Sequence, residues 1–321
     1  MKPFSLPRFP HTRCVPPLRG GRTGFSLIEI LVVIGILVIL AAISIPVLRD
    51  MRTMARRSNC EQNLIRLATA SQAYAIDHIH LPSGTLTGSA SIVTGEGLSV
   101  DVATDTDDEV ILPLTITSLP KGYHHNWVSS LLPYCDREGM FQAINFQVGV
   151  YSPENAVMRD ADIPFLRCPS SAEQQKLNTT SYAGLHSSDE QPIGTDNDGL
   201  LSLNRWLIPD DVPDGIAYTI LFGEKLSPPQ FDLGWMSGTR SSLRNAGTPI
   251  NAAITEETYH DPDFVGGLGS LHAGGALVAM GDGSIEFLSD SIDMEVFASL
   301  ASRNDQTETQ TVDRSIDTNP Q

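Results

Sequence analysis

From Ile30 to Leu48 the chain reads ILVVIGILVILAAISIPVL and carries no charge. A helix that is apolar on every side has no place on the surface of a water-soluble fold. It must be surrounded by lipid or by other apolar helices. Extended back to Phe25, at about 1.5 Å per residue, such a helix reaches across a hydrocarbon core of about 30 Å. Glu29 stands at its front edge. A carboxylate there costs about a few kcal/mol unless it finds a partner, so it marks a function rather than an accident of packing. Pro46, near the other end, removes one backbone hydrogen bond and predicts a kink.

Residues 1–24 are polar, basic and proline-bearing, and read as a targeting leader. A secretory signal peptide fits poorly, because the apolar run is long and LAAISIPV offers no small-x-small cleavage site. A plain membrane anchor accounts for the apolar run and leaves Glu29 unexplained. The following stretch, residues 49–80, contains no Gly or Pro. Leu64, Leu67, Ala68, Ser71 and Ala75 recur there at helical spacing, which predicts an amphipathic continuation of the helix ending before Leu81–Gly84. From there the texture changes to short β-branched runs separated by Gly, Pro, Asn and Asp, as in VILPLTITSLP, AYTILFGEKL and ALVAMGDGSIEFL. The last of these is a hairpin: Ala276–Met280, a turn at Gly281-Asp282-Gly283, and Ser284–Leu288. WVSSLLPYCDREGMFQAINF reads as one helix or two short ones. The expected fold class is α+β: a long N-terminal helix packed on an antiparallel β-sheet head over residues 81–301. Residues 302–321 hold no core-forming run and read as a disordered tail.

Asp and Glu number 38 against 21 Lys and Arg, for a net charge of −17. Five of the basic residues precede Phe25. This balance excludes nucleic acid as a partner, since phosphate binding needs clustered cations. The cysteines are Cys14, Cys60, Cys135 and Cys168, with no CxxC pair to suggest a zinc ribbon or a redox motif. Outside the leader three remain, which allow one disulfide and one free thiol in an oxidising compartment. No enzyme is expected. Ser270 lies two residues before His272, but there is no GxSxG elbow and no HExxH, and His186, His260 and His272 are scattered. No cofactor is expected either. The calcium candidates are Asp196, Asn197 and Asp198 in GTDNDG, with Asp261 and Asp263 in HDPD. EF-hand spacing fails, because counting from Asp196 the sixth and twelfth positions are Leu201 and Leu207. Turn chemistry accounts for the same residues. His272 on its own reads as a side chain hydrogen-bonded to backbone, and Asp282-Gly283 as turn residues.

The stretch GFSLIEILVVIGILVILAAISIPVL resembles the N-terminal segment of type IV prepilins and type II secretion pseudopilins. The resemblance implies cleavage after Gly24 by a prepilin peptidase and N-methylation of the new first residue, Phe25. Glu29 then becomes the fifth mature residue and Pro46 the twenty-second. Cleavage creates a cationic amine one helical turn from Glu29. In a bundle of parallel helices the carboxylate of one subunit can pair with the amine of its neighbour, so that neither charge is left alone in an apolar medium.

Near the C-terminus, SLHAGGALVAMGDGSIEFLSDSI places nine residues between His272 and Asp282-Gly283. This resembles a family of prepilin-like proteins defined by that signature, whose head is a domain of unknown function. RRSNCEQNLIRLATASQAY, WVSSLLPY, FLRCPSS, SYAG, DNDGL, VPDGIAYTILFGEK and VFASLASRND follow the family's order. Residues 84–118 form a longer segment than the family pattern implies, and Cys135 stands where an apolar residue is expected. Cys60 and Cys168 fall within family-like motifs, so a bond between them is expected to staple the helix to the head; Cys135–Cys168 and three reduced thiols are the alternatives.

The resemblance implies a single-pass protein of a bacterial inner membrane with its head outside the cytoplasm. Its partners would be the processing peptidase and N-methylase, the membrane and other pilin-like subunits. Arg49, Arg52, Arg56 and Arg57 follow the span closely, so the positive-inside rule adds little about orientation. The expected function is a pilin-like or pseudopilin-like subunit of a type IV pilus or type II secretion-type assembly. The alternative is a membrane-anchored binding module for a polymer, surface ligand or cation, which uses the leader for export alone.

Overall fold

The computed structural model describes residues 26–88, 115–171 and 175–305, apart from the side chains of Pro46, Val47, Arg49 and Asp50. Gly24, Phe25, Cys14, most of the 84–118 segment and the tail from residue 306 lie outside the described residues. The chain divides into two units, Met1–Met51 and Arg52–Gln321.

Helix α1, Leu27–His78, contributes to both units. In the first unit it runs through Pro46 without ending; Pro46 removes one N–H donor, and the helix continues on either side of it. Ser26 caps its start, its carbonyl accepting from the Glu29 and Ile30 N–H groups. The Ser44 hydroxyl donates back to the Leu40 carbonyl at 2.7 Å, which hides the one polar side chain between Ile30 and Ile45.

In the second unit, the remainder of α1 packs on a five-stranded sheet. Its strands are β2 (Tyr182–Ser187), β4 (Ile220–Glu224), β5 (Leu243–Asn245), β6 (Gly275–Met280) and β7 (Ile285–Ser289), in the order β5-β2-β4-β6-β7. A separate two-residue pairing joins β1 (Thr115–Ile116) to β3 (Ile193–Gly194). The antiparallel sheet expected from sequence is corrected at one edge, because β5 runs parallel to β2. The connection from β4 to β5 skips over β2, so β5 arrives on its far side pointing the same way as β2. The hairpin lies one residue from its expected bounds, with Gly275 opposite Ser289 and Ala279 opposite Ile285.

Both faces of the inner strands β2, β4 and β6 are buried, and β6 shows how. Leu277 and Ala279 join the core cluster that contains Leu64, Leu67 and Ala68 of α1. Ala276, Val278 and Met280 join a second cluster closed by Phe297 and Ala301. The latter two lie on α6 (Met294–Ala301), which starts at an Asp293 cap. The period of two thus sends alternate side chains to a helix on either side. The helical face expected at Leu64, Leu67, Ala68 and Ser71 is buried, with Ala75 packed beside it.

Short helices cover the rest: α2 (Trp127–Leu131), α3 (Glu138–Ala143), α4 (Ala156–Arg159) and α5 (Glu256–His260). Asn126 caps α2 and also donates to the Trp235 carbonyl and the Ser242 hydroxyl, which fixes the helix over the sheet edge. The tail boundary at 302 moves outward. Ser302 is buried, and Arg303 donates to the carbonyls of Asn197 and Gly199.

Candidate functional site

The first unit presents a helix surface built for apolar surroundings. Leu27–Ile45 has a mean hydropathy of 3.0 and none of it is buried. Its Leu, Ile and Val side chains are at least half exposed, which in water would be prohibitive over so many residues. Glu29 is exposed in the first turn, and its carboxylate has no ion-pair partner among the described residues. The arrangement supplies a membrane-length apolar rod with a single carboxylate at its start.

In the second unit the signature histidine lies at the heart of the core. Cys60 of α1 is bonded to Cys168 of the loop before β2, across 108 residues of sequence. His272 Nε2 sits 3.1 Å from Glu224 Oε1 and 3.5 Å from Cys168 Sγ. The second oxygen of Glu224 accepts from the Leu277 N–H at 3.0 Å. All four residues are 5% exposed or less. The loops around them are built to hold this geometry. Ser181 Oγ accepts from the Cys168 N–H, Ser270 Oγ accepts from the His272 N–H and donates to the Gly275 carbonyl, and Asn251 Oδ1 accepts from the Ser270 N–H. Tyr182 Oη donates to the Cys60 carbonyl and accepts from Asn63. The backbone-bonded reading of His272 is therefore corrected: its ring pairs with a carboxylate 48 residues away, because β4 and β6 are neighbours in the sheet.

Asp282 and Gly283 occupy the opposite end of β6. Asp282 Oδ1 accepts from the N–H and hydroxyl of Ser284, and Gly283 has φ +91°, as the tight turn requires. Gln72 of α1 donates to the Asp282 carbonyl. A side chain at Gly283 would place its Cβ 2.5 Å from Gln72 Nε2. The nine-residue spacing thus has a mechanical meaning. It is the length of one strand, with a carboxylate and disulfide gripping one end and the α1 helix gripping the other.

Three of the five calcium candidates, Asn197, Asp198 and Asp261, have their side chains engaged in loop hydrogen bonds. Asn197 Oδ1 accepts from the Gly194 N–H and bonds His186 Nδ1 at 2.9 Å, while Asp198 accepts from the N–H and hydroxyl of Ser188. Burial pushes the Asp198 carboxyl up, but the hydrogen bonds from Ser188 and its neighbours together outweigh it and hold the group below its usual range. Asp261 accepts from the Asp263 N–H, and Asp196 is exposed. Among the described residues, the His, Cys, Asp and Glu side chains whose ligand atoms converge are Cys60, Cys168, Glu224 and His272. The three histidines considered for catalysis stay apart: His186 is buried against Asn197, His260 is exposed and edge-on to Phe231, and His272 forms a clasp with Glu224 and the Cys60–Cys168 disulfide. Ser270 bonds the His272 backbone rather than its ring. Cys135 is buried and unpaired, and burial pushes its thiol up to about 11, so it behaves as a small apolar residue.

Glu224, in the clasp, and Gln72, at the other end of β6, belong to no catalytic or metal-binding motif in the sequence. A glutamate ending an otherwise apolar strand, ILFGE, was the available signal for the first. Gln72 carries no such signal.

Two family models match the chain. Residues 49–295 match a protein of unknown function (DUF1559), and residues 19–45 match the prokaryotic N-terminal methylation motif. No curated protein and no solved structure matches it.

Proposed function

We propose that this chain, which belongs to the DUF1559 family of proteins of unknown function and carries the prokaryotic N-terminal methylation motif, is a pilin-like structural subunit of a type IV pilus or type II secretion-type assembly. The motif makes it a pilin-like protein processed by a prepilin peptidase and anchored in the membrane. The cut falls after Gly24, and the protein sits in a bacterial inner membrane with its head outside the cytoplasm. The observation that carries the assembly reading is the exposed Glu29, without an ion-pair partner among the described residues, at the start of an apolar helix none of which is buried. That carboxylate acquires its partner when the cleaved amine of a neighbouring subunit comes alongside, which sets the vertical register between subunits. The head carries out no catalysis in this reading, in keeping with three scattered histidines and a Ser270 turned to backbone.

The test is incorporation of Glu29→Ala and Glu29→Gln variants in native membranes, followed by cross-linking to neighbouring subunits and by exposure of the head to an external protease. Both variants should lose cross-linked assembly and keep an exposed head. Unchanged assembly in both would contradict the subunit role. It would favour the binding module, for which an open cleft of about 440 Å³ lined by Leu226, Pro228, Pro229, Tyr259 and Ser270 offers a place to bind.

A further inference from the structure

The clasp offers two sulfurs, a ring nitrogen and a carboxylate oxygen, from Cys60, Cys168, His272 and Glu224, all within 4.8 Å of one another. A disulfide asks nothing of its neighbours beyond apolar packing. Yet two ionisable side chains press against this one inside the core, where unpaired polar groups are costly. The same nitrogen, His272 Nε2, faces both the Glu224 carboxylate and the Cys168 sulfur. Four donors of this kind are the set that suits Zn²⁺, which takes sulfur at about 2.3 Å and nitrogen or oxygen at about 2.0–2.2 Å in a tetrahedron. The ligand atoms around such an ion lie about 3.3–3.8 Å apart. Once the sulfurs separate, small side-chain rotations reach that geometry. The four residues come from α1, the loop before β2, the end of β4 and the loop before β6, so an ion here ties together the same pieces as the disulfide.

We propose that, with the Cys60–Cys168 bond reduced, Cys60, Cys168, His272 and Glu224 form a site for one Zn²⁺. The helix is then held to the head by a disulfide in oxidising surroundings and by a metal in reducing ones. A phosphine reductant opens the bond by giving two electrons and ending as its oxide, while one water supplies the oxygen and the two thiol protons. Zn²⁺ then displaces both thiol protons to solvent. His272 binds through Nε2 with its remaining proton on Nδ1, and Glu224 turns Oε1 from the imidazole to the metal while Oε2 stays on the Leu277 N–H.

The test uses the full chain in detergent, in a Cys14→Ser, Cys135→Ser background that removes the other thiols. It is reduced with a phosphine and titrated with Co²⁺, then with Zn²⁺. One equivalent of Co²⁺ should bind with sulfur-to-metal charge-transfer absorption and be displaced by Zn²⁺, while the oxidised chain binds none. His272→Ala and Glu224→Gln should each weaken Zn²⁺ binding about tenfold or more. A reduced chain that takes up no Co²⁺, folded or not, overturns the proposal. So does equal affinity in the native clasp and both variants.

Discussion

His186 is fully buried in β2, and its surroundings make the head sensitive to acid. Asn197 Oδ1 is an acceptor, so His186 Nδ1 carries the proton and donates to it at 2.9 Å. Nε2 is buried with no hydrogen-bond partner among the described residues. Protonating it would place a charge in the core with no acceptor. Burial pulls the imidazole down from 6.5 to about 4, against the raising effects of Asn197 and Asp198 and together with the lowering effect of Arg244. The sign follows directly. Between about 4 and 6.5 the unfolded chain binds a proton that the folded chain refuses, so stability is full above 6.5 and falls as pH drops through that window. The gap is worth about 3 kcal/mol in total, or at most about 1.4 kcal/mol per pH unit. Urea unfolding of the native chain and of His186→Gln at several pH values between 7.5 and 4.5 should show a shallower pH slope in the variant. Asp198 acts in a separate, more acid window, since its own carboxyl titrates below the ordinary value of 3.8. An imidazole that titrates near 6.5 by NMR in the folded chain, or a variant with an unchanged slope, refutes the reasoning.

Other outcomes follow from the same structure. Gly283→Ala forces a side chain onto φ +91° and against Gln72, and should cost about 1–3 kcal/mol in thermal unfolding. Glu224→Leu strips the buried Leu277 N–H and His272 ring of their acceptor, and should cost about 3–5 kcal/mol in urea, with Glu224→Gln milder because it keeps a carbonyl oxygen. Reducing Cys60–Cys168 in metal-free buffer reopens a loop closed over 108 residues of sequence, and should lower unfolding free energy by about 4–5 kcal/mol. Asn126→Ala removes the α2 cap and two further buried hydrogen bonds, and should cost about 2–4 kcal/mol by denaturant midpoint.

The long helix and the hairpin were legible because each rests on a local signal. The α1 face at Leu64, Leu67 and Ala68 is a local pattern at helical spacing, and burial follows it. Asp282-Gly283 announces its turn through the positive φ that glycine supplies. Strand β5 was not legible. It is three residues long and centred on Arg244, a buried arginine whose guanidinium donates to the carbonyls of Val265 and Leu226 and to Ser227 Oγ. A charge in the middle of a strand argues for an exposed loop until its tertiary partners are known. The same holds for the pairing of Glu224 with His272. Each carries a local signal, but nothing local joins the two, and the sheet order that brings them together is a long-range property. Residues 302–305 read as tail because their anchor is not an apolar run but the Arg303 guanidinium on the carbonyls of the 197–199 loop.

The central claim is that Glu29 stands at the head of an apolar helix because cleavage creates its partner. Intact mass and N-terminal sequencing of the protein from its native membrane test this most directly. A processed prepilin begins at Phe25 and carries one added methyl group. A chain that begins at Met1, or one cut near Ala42 as an ordinary signal peptide would be, contradicts it.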